Sequence, residues 1–271
     1  MLEASRRWRS EGHSIGLVPT MGALHAGHMS LVERACQDNS RVAVSVFVNP
    51  IQFGPTDDLA RYPASPERDL DLLRRAGVAA VYKPDAHVMY PPGAATRVRV
   101  AGVAERLEGA ARPGHFEGVA TVVTKLFNAT EPDRAYFGQK DAQQVAVVRR
   151  LALDLDMGVE IRVCPTVREA DGLALSSRNA YLGPEERTAA ACLSAALGQA
   201  ARAYQEGERN LDRLRLGILA TLEAEPLARV DYAELVDPET FTPTGTLAVL
   251  AVWIGKTRLI DNHELAQAFP G

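Results

Sequence analysis

The sequence predicts an α/β chain in which a doubly wound parallel sheet over residues 1–166 is followed by a smaller α+β domain over residues 167–271. Three observations carry this. Short apolar runs alternate with amphipathic segments from Ile15 to Cys164. Those runs are β-branched and nearly uncharged, as strands covered on both faces are. After Pro165 the alternation gives way to a polar loop, Ala-rich helical stretches and closely spaced strands.

Residues 1–13 read as part of a helix with Arg6, Arg7 and Arg9 on its solvated side. Ile15 to Val18 is a buried strand, and Leu31, Val32, Ala35 and Cys36 recur at helical spacing after it. Val42 to Val48 is a second strand, with a loop from Asn49 to Ala64 at its carboxyl end. Ser65 suits a helix cap, with Pro66 at the first helical position and Gly77 beyond the last turn. Ala79 to Lys83 is a third strand. From Met89 to Gly114 the chain is rich in Pro and Gly, a surface excursion or flap with a strand at Thr96–Val100 and a short helix at Val103–Glu108. Val119, Val122, Val123, Leu126 and Phe127 form the stripe of a helix over 118–129. A strand at Arg134–Phe137, a helix at Asp141–Leu155 and a strand at Val159–Cys164 complete the sheet. Helical stretches at Pro184–Glu206 and Asn210–Glu225 and strands at Val230–Val236, Leu247–Ile254 and Arg258–Asp261 build the second domain.

With 271 residues, 46% apolar and 24% charged, the chain has the composition of a globular enzyme. Its net charge of −4 gives no overall attraction for nucleic acid, so an anionic ligand must be met by a local cluster of cations. Cys36, Cys164 and Cys192 are odd in number and widely spaced, which argues against a disulfide framework and fits a reducing cytoplasm. No secretory signal is expected at the start, and the run Leu247–Ile254 is far too short to span a bilayer.

The stretch Val18-Pro-Thr-Met-Gly-Ala-Leu-His-Ala-Gly-His28 joins the first strand to a helix. A helix N-terminus presents unpaired N–H groups and about half a positive charge, which suits phosphate. Gly22 and Gly27 let backbone approach a ligand, and His25 and His28 point donors the same way. A zinc site is the competing reading of two histidines at this spacing, but no third ligand lies near except Cys36, two helical turns on. No nucleophile elbow, Cys–His pair or P-loop occurs elsewhere, which leaves direct attack of one substrate on another.

This stretch resembles the His-x-Gly-His signature of the nucleotidyltransferase superfamily, and in its wording the pantoate–β-alanine ligase family. Four further segments match in family order: Phe47 to Gly54, Arg112 to Val119, Tyr136 to Gln144 and Thr166 to Asn179. The resemblance implies a Rossmann-like sheet domain that binds ATP and pantoate, and a smaller domain that closes over the active site. It implies ATP contacts from Met21, Gly22, Ala23, Leu24, His25, Ala26, Gly27, His28, Gly138, Gln139, Lys140, Asp141, Val167, Leu175, Ser176, Ser177 and Arg178. His28, His25 and Lys140 are cast as catalytic groups, with His28 as proton donor. Gln52, Gln144, Asn49 and Thr20 are cast as pantoate or β-alanine contacts, and Tyr62, Arg112 and His115 match positions near the pocket. Magnesium would ride on the ATP phosphates, with its protein ligands open, and the chain would be a homodimer.

The implied reaction is ATP-dependent condensation of pantoate with β-alanine through pantoyl adenylate, releasing AMP and pyrophosphate. A carboxylate that attacks the α-phosphorus is already ionised and needs alignment and charge relief rather than a base. Lys140 and Arg178 supply cations, the two histidines imidazole donors, and Ser176 and Ser177 hydroxyls. The chain departs from the family pattern in Leu175, where many members have Met, in Gln139, where Glu is frequent, and in a shortened start that bears on the sheet edge or the dimer. Two alternatives stay open at this level: a nucleotidyltransferase acting on a phosphorylated small molecule, which uncharged Gln52 and Gln144 speak against, and a nucleotide- or RNA-binding protein without catalysis.

Overall fold

A computed structural model describes residues 1–54, 59 and 62–270. Part of the expected Asn49–Ala64 loop lies outside them. The chain divides into two compact units: Met1–Gly138 with Gln143–Cys164, and Gln139–Ala142 with Pro165–Gly271.

The first unit is the expected doubly wound sheet. Helix Leu2–Ser10 (α1) leads to strand Ile15–Thr20 (β1), then helix Ala26–Asp38 (α2), strand Arg41–Val46 (β2), helix Pro66–Arg75 (α3) and strand Ala80–Tyr82 (β3). Two single-turn helices, Ala86–Met89 (α4) and Glu108–Ala111 (α5), precede the long helix His115–Thr130 (α6). Strand Arg134–Gly138 (β4), helix Ala142–Asp154 (α7) and strand Glu160–Cys164 (β5) follow. The strand order is β3-β2-β1-β4-β5, all parallel, with β1 paired to β2 from Ile15–Arg41 to Thr20–Val46. The order therefore reverses between β1 and β4, and ligands of such sheets bind at the carboxyl ends of strands beside that reversal. Met21 leaves β1 at this edge, and Gly138 ends β4 at the same edge. Val18, Leu24, Leu31, Val32, Val42, Val44 and Leu73 form the core that seats α2 and α3 on the sheet.

Several local expectations give way to tertiary partners. Thr96–Val100 is not a strand, because the Val98 N–H donates to the Thr121 hydroxyl of α6 at 3.0 Å. The helix expected at Val103–Glu108 starts instead at Glu108, after Leu107 with φ +49. The carbonyls of Val103 and Arg106 accept the Gln143 amide, each at 2.8 Å, rather than helical N–H groups. Ser65 makes no side-chain cap, and its carbonyl accepts from Asp69 N instead. Arg6 and Arg9 are not merely solvated: they pair with Glu131 and Asp133, each at 3.2 Å.

The second unit carries helices Pro184–Ala189 (α8), Ala191–Gln205 (α9) and Leu211–Glu223 (α10), and strands Ala228–Val236 (β6), Leu247–Ile254 (β7) and Thr257–Glu264 (β8). The sheet is antiparallel in the order β6-β7-β8. The single helix expected over 184–206 breaks at Ala190, where Leu193 N reaches back to Ala190 O in a tighter i→i+3 bond. Leu193, Leu197, Ile218, Leu222, Leu250, Val252 and Ile254 make this unit's own core.

Candidate active site

The turn after β1 is held from within. Gly22 takes φ +88 and Ala23, a non-glycine, φ +51. The N–H groups of Ala23 and Leu24 donate to the two carboxylate oxygens of Asp69 at 2.8 and 2.9 Å, and Gly22 N donates to Thr20 Oγ1 at 3.3 Å. A Cβ at residue 22 would stand 3.2 Å from both Asp69 and Val46, so glycine serves the fold of the turn here as well as ligand approach. His25 is the N-cap of α2 and His28 its third residue, and the His28 ring reaches back to cap the His25 backbone N–H. The rings lie with centroids 4.0 Å apart. His25 N donates to His28 Nδ1 at 3.4 Å, which places the proton of the neutral His28 ring on Nε2. Of the backbone donors expected to meet phosphate, those of Ala23, Leu24 and His25 are thus engaged by the protein. Ala26 and Gly27, at the first two helical positions, lack an intrahelical acceptor by their place in the helix.

Beside this turn the structure assembles the amides. Gln52 Nε2 donates to Met21 Sδ at 3.4 Å, and its Oε1 accepts from Asn49 Nδ2 at 2.9 Å. Asn49 is 1% exposed; its second amide hydrogen goes to Gly118 O at 3.1 Å, and its oxygen accepts from the Tyr90 hydroxyl at 2.8 Å. Burial pushes the Tyr90 phenol up to about 12, so it stays a donor at neutral pH. Arg112 can only donate to His115 Nε2, at 3.1 Å, so His115 Nδ1 carries the proton and donates to Gln52 O at 3.0 Å. Gly118 permits this packing: a Cβ there would lie 2.6 Å from Gln52 Cα and from Ile51 O. Thr20 gives its hydroxyl hydrogen to Ser45 O at 2.7 Å. Gln144 stands half-buried on the first turn of α7, while its buried neighbour Gln143 braces the 103–108 loop.

In the second unit, Gln139, Lys140 and Asp141 form a 3₁₀ turn immediately after Gly138. The Lys140 ammonium is 3.6 Å from the Asp141 carboxylate. Asn262 of β8 donates to the carbonyls of Gln139 and Lys140, each at 2.9 Å, and accepts from Gln139 Nε2 at 3.0 Å. Val167 and Leu175 face each other across a hairpin, Leu175 N donating to Val167 O at 2.9 Å, with Gly172 at φ +87 near its tip. Arg168 of that hairpin forks onto Asp261 at 2.6 and 3.0 Å with both side chains buried. Ser176 Oγ accepts from Arg178 N at 3.2 Å and caps the 3₁₀ turn Ser177–Tyr181, which keeps its O–H as a donor.

The model of the pantoate-beta-alanine ligase family matches residues 1–264. The chain belongs to that family. It is 56% identical over 254 residues to a pantothenate synthetase of Roseiflexus castenholzii, covering 92% of this chain and 91% of the relative. With one from Gluconobacter oxydans the identity is 55% over 257 residues, covering 93% and 94%. Among solved structures, a pantothenate synthetase of Thermus thermophilus superposes with a TM-score of 0.91 at 48% identity, covering 96% and 97%. The pantoate-beta-alanine ligase of Francisella tularensis, solved with beta-gamma ATP and beta-alanine, gives 0.79 at 35% identity, covering 98% and 96%. The family, the fold class and the carbon–nitrogen ligase class expected from the sequence all stand on these matches. Among the described residues no helix is long and apolar enough to cross a membrane.

Sequence reading missed Asp69, Tyr90, Gln143, Arg168, Asp261 and Asn262. Gln143 and Arg168 offered a signal, since each lies inside a segment that matches the family; the other four lie outside those segments.

Proposed function

We propose that this chain joins pantoate to β-alanine in two steps driven by ATP. The pantoate carboxylate attacks the α-phosphorus, the bond to the bridging oxygen breaks, and pyrophosphate leaves. The neutral amine of β-alanine then attacks the acyl carbon, the bond to AMP breaks, and pantothenate forms with release of the amine's surplus proton. His28 Nε2–H, His25, Lys140 and Arg178 serve as donors to the phosphate oxygens as their charge grows. Ala26 and Gly27 N–H groups add backbone donors at the head of α2.

The observation that carries this reading is the bond from Gln52 to Met21, which sets an amide for a hydroxy acid directly against the nucleotide turn. Sulfur is a weak acceptor, so Gln52 can transfer that hydrogen to a carboxylate or hydroxyl at little cost. Asn49 and Thr20, both engaged with protein partners, act by orienting Gln52 and the turn, and Gln144 supplies the second amide to pantoate. Among the described residues no cluster of three or more His, Cys, Asp or Glu is placed to hold a metal. In this reading magnesium would be held by the phosphate oxygens of ATP and by water. When bound it would offset charge on the phosphates. The reading includes a cytoplasmic homodimer, on the family resemblance and the cysteine pattern. The test is AMP release with each substrate withheld in turn. AMP accumulation should require pantoate, and sustained turnover should require β-alanine as well; AMP release indifferent to pantoate would contradict it.

A further inference from the structure

We infer that Asn262 is a positioning residue for Lys140, which rests on the reading of Lys140 as a donor to the phosphate. A three-residue 3₁₀ turn has too few internal bonds to hold one conformation. Asn262, 4% exposed on β8, supplies what the turn lacks. Its two amide hydrogens go to the carbonyls of Gln139 and Lys140, and its oxygen takes the Gln139 amide. Those two carbonyls belong to the peptide planes on either side of the Lys140 Cα. Each plane is rigid, so fixing both fixes the Lys140 backbone and the direction in which its side chain leaves.

The clamp is itself anchored. Asn262 N donates to Asp261 Oδ1 at 2.8 Å, and Asp261 is gripped by Arg168, which also donates to Gly172 O at 3.0 Å. Arg168 lies on the hairpin that runs through Leu175 into Ser176, Ser177 and Arg178. One chain of hydrogen bonds therefore joins the Lys140 backbone to the base of the segment bearing Arg178. The two cations are carried on one frame, with Asn262 at the joint.

The test is a double-mutant cycle on the full chain, with single-turnover pantothenate formation at excess enzyme beside the steady state. Asn262→Ala should lower kcat about tenfold to a hundredfold, as a misplaced group does. It should leave KM for pantoate within about twofold and cost nothing further in a Lys140→Ala background. Additive losses, or an unchanged kcat, would overturn the inference. Asn262→Asp, of equal size but with a carboxylate facing two carbonyls, is measured alongside and should show the same split. Loss of fold in both variants by circular dichroism would make Asn262 a stability residue and overturn it too. Lys140→Ala reports on the reading beneath: full activity there would remove Lys140 from the reaction before any Asn262 variant is assayed.

Discussion

Asp69, 2% exposed on α3, accepts the N–H of Ala23 at 2.8 Å and holds that residue at φ +51. Its other oxygen takes the N–H of Leu24. A left-handed non-glycine backbone persists only where its surroundings over-determine it, and such positions gather at functional sites. Asp69 thereby sets the entry of the chain into α2 and the placing of His25 and His28. Asn in its place has one acceptor for two donors. Asp69→Asn should lose about 1–3 kcal/mol of stability. It should also lower kcat by about tenfold or more through the displaced imidazoles. Thermal unfolding and steady-state kinetics check both.

Replacing His28 tests the donor itself. His28→Ala should lower kcat by about a hundredfold, in line with loss of one preorganised donor to a developing oxyanion. KM for pantoate should hold, since the amides proposed to meet it are separate. Initial rates over a pantoate series measure the split.

Gly118→Ala should act on the other substrate. The new Cβ would sit 2.6 Å from Gln52 Cα and Ile51 O, backbone atoms that cannot turn aside. Overpacking of this kind costs about 1–3 kcal/mol. Because the strain falls on Gln52, KM for pantoate should rise more than KM for ATP. Unfolding curves and paired substrate titrations check this.

The acid side of the stability profile should report on His263. Burial lowers its pKa from the ordinary 6.5, with Arg168 adding to the effect, while the Gln267 carbonyl, Asp261 and Glu264 pull the other way. With the folded value below the unfolded one, the unfolded chain takes the proton first as pH falls. Stability is whole above the unfolded value and is lost through the window beneath it, down to the folded value. The drop in Tm between about pH 7.5 and pH 5.5 should therefore shrink in His263→Gln. Calorimetry at the two pH values measures it.

The strands, α2 with its histidine start and the change of pattern after Pro165 were legible because each rests on local signals: β-branched runs, helical spacing, a cap. Thr96–Val100 has the alternation of a strand, yet its Val98 N–H finds Thr121 on a distant helix. Asp69 meets residues 45 and 46 positions away, and Asn262 residues more than a hundred away. No local pattern marks such partners. The same reason hid the grouping of Gln139–Ala142 with the second unit, since a strand-to-helix connection gives no sign of packing elsewhere. The residues proposed for chemistry lie in motifs; Asp69 and Asn262, which hold backbone beside them, do not.

Isotope exchange between pyrophosphate and ATP tests the adenylate route most directly. With β-alanine withheld, label from pyrophosphate should enter ATP only when pantoate is present, and His28→Ala should slow that exchange. Exchange that proceeds without pantoate, or none at all in an enzyme that still makes pantothenate, would contradict the account.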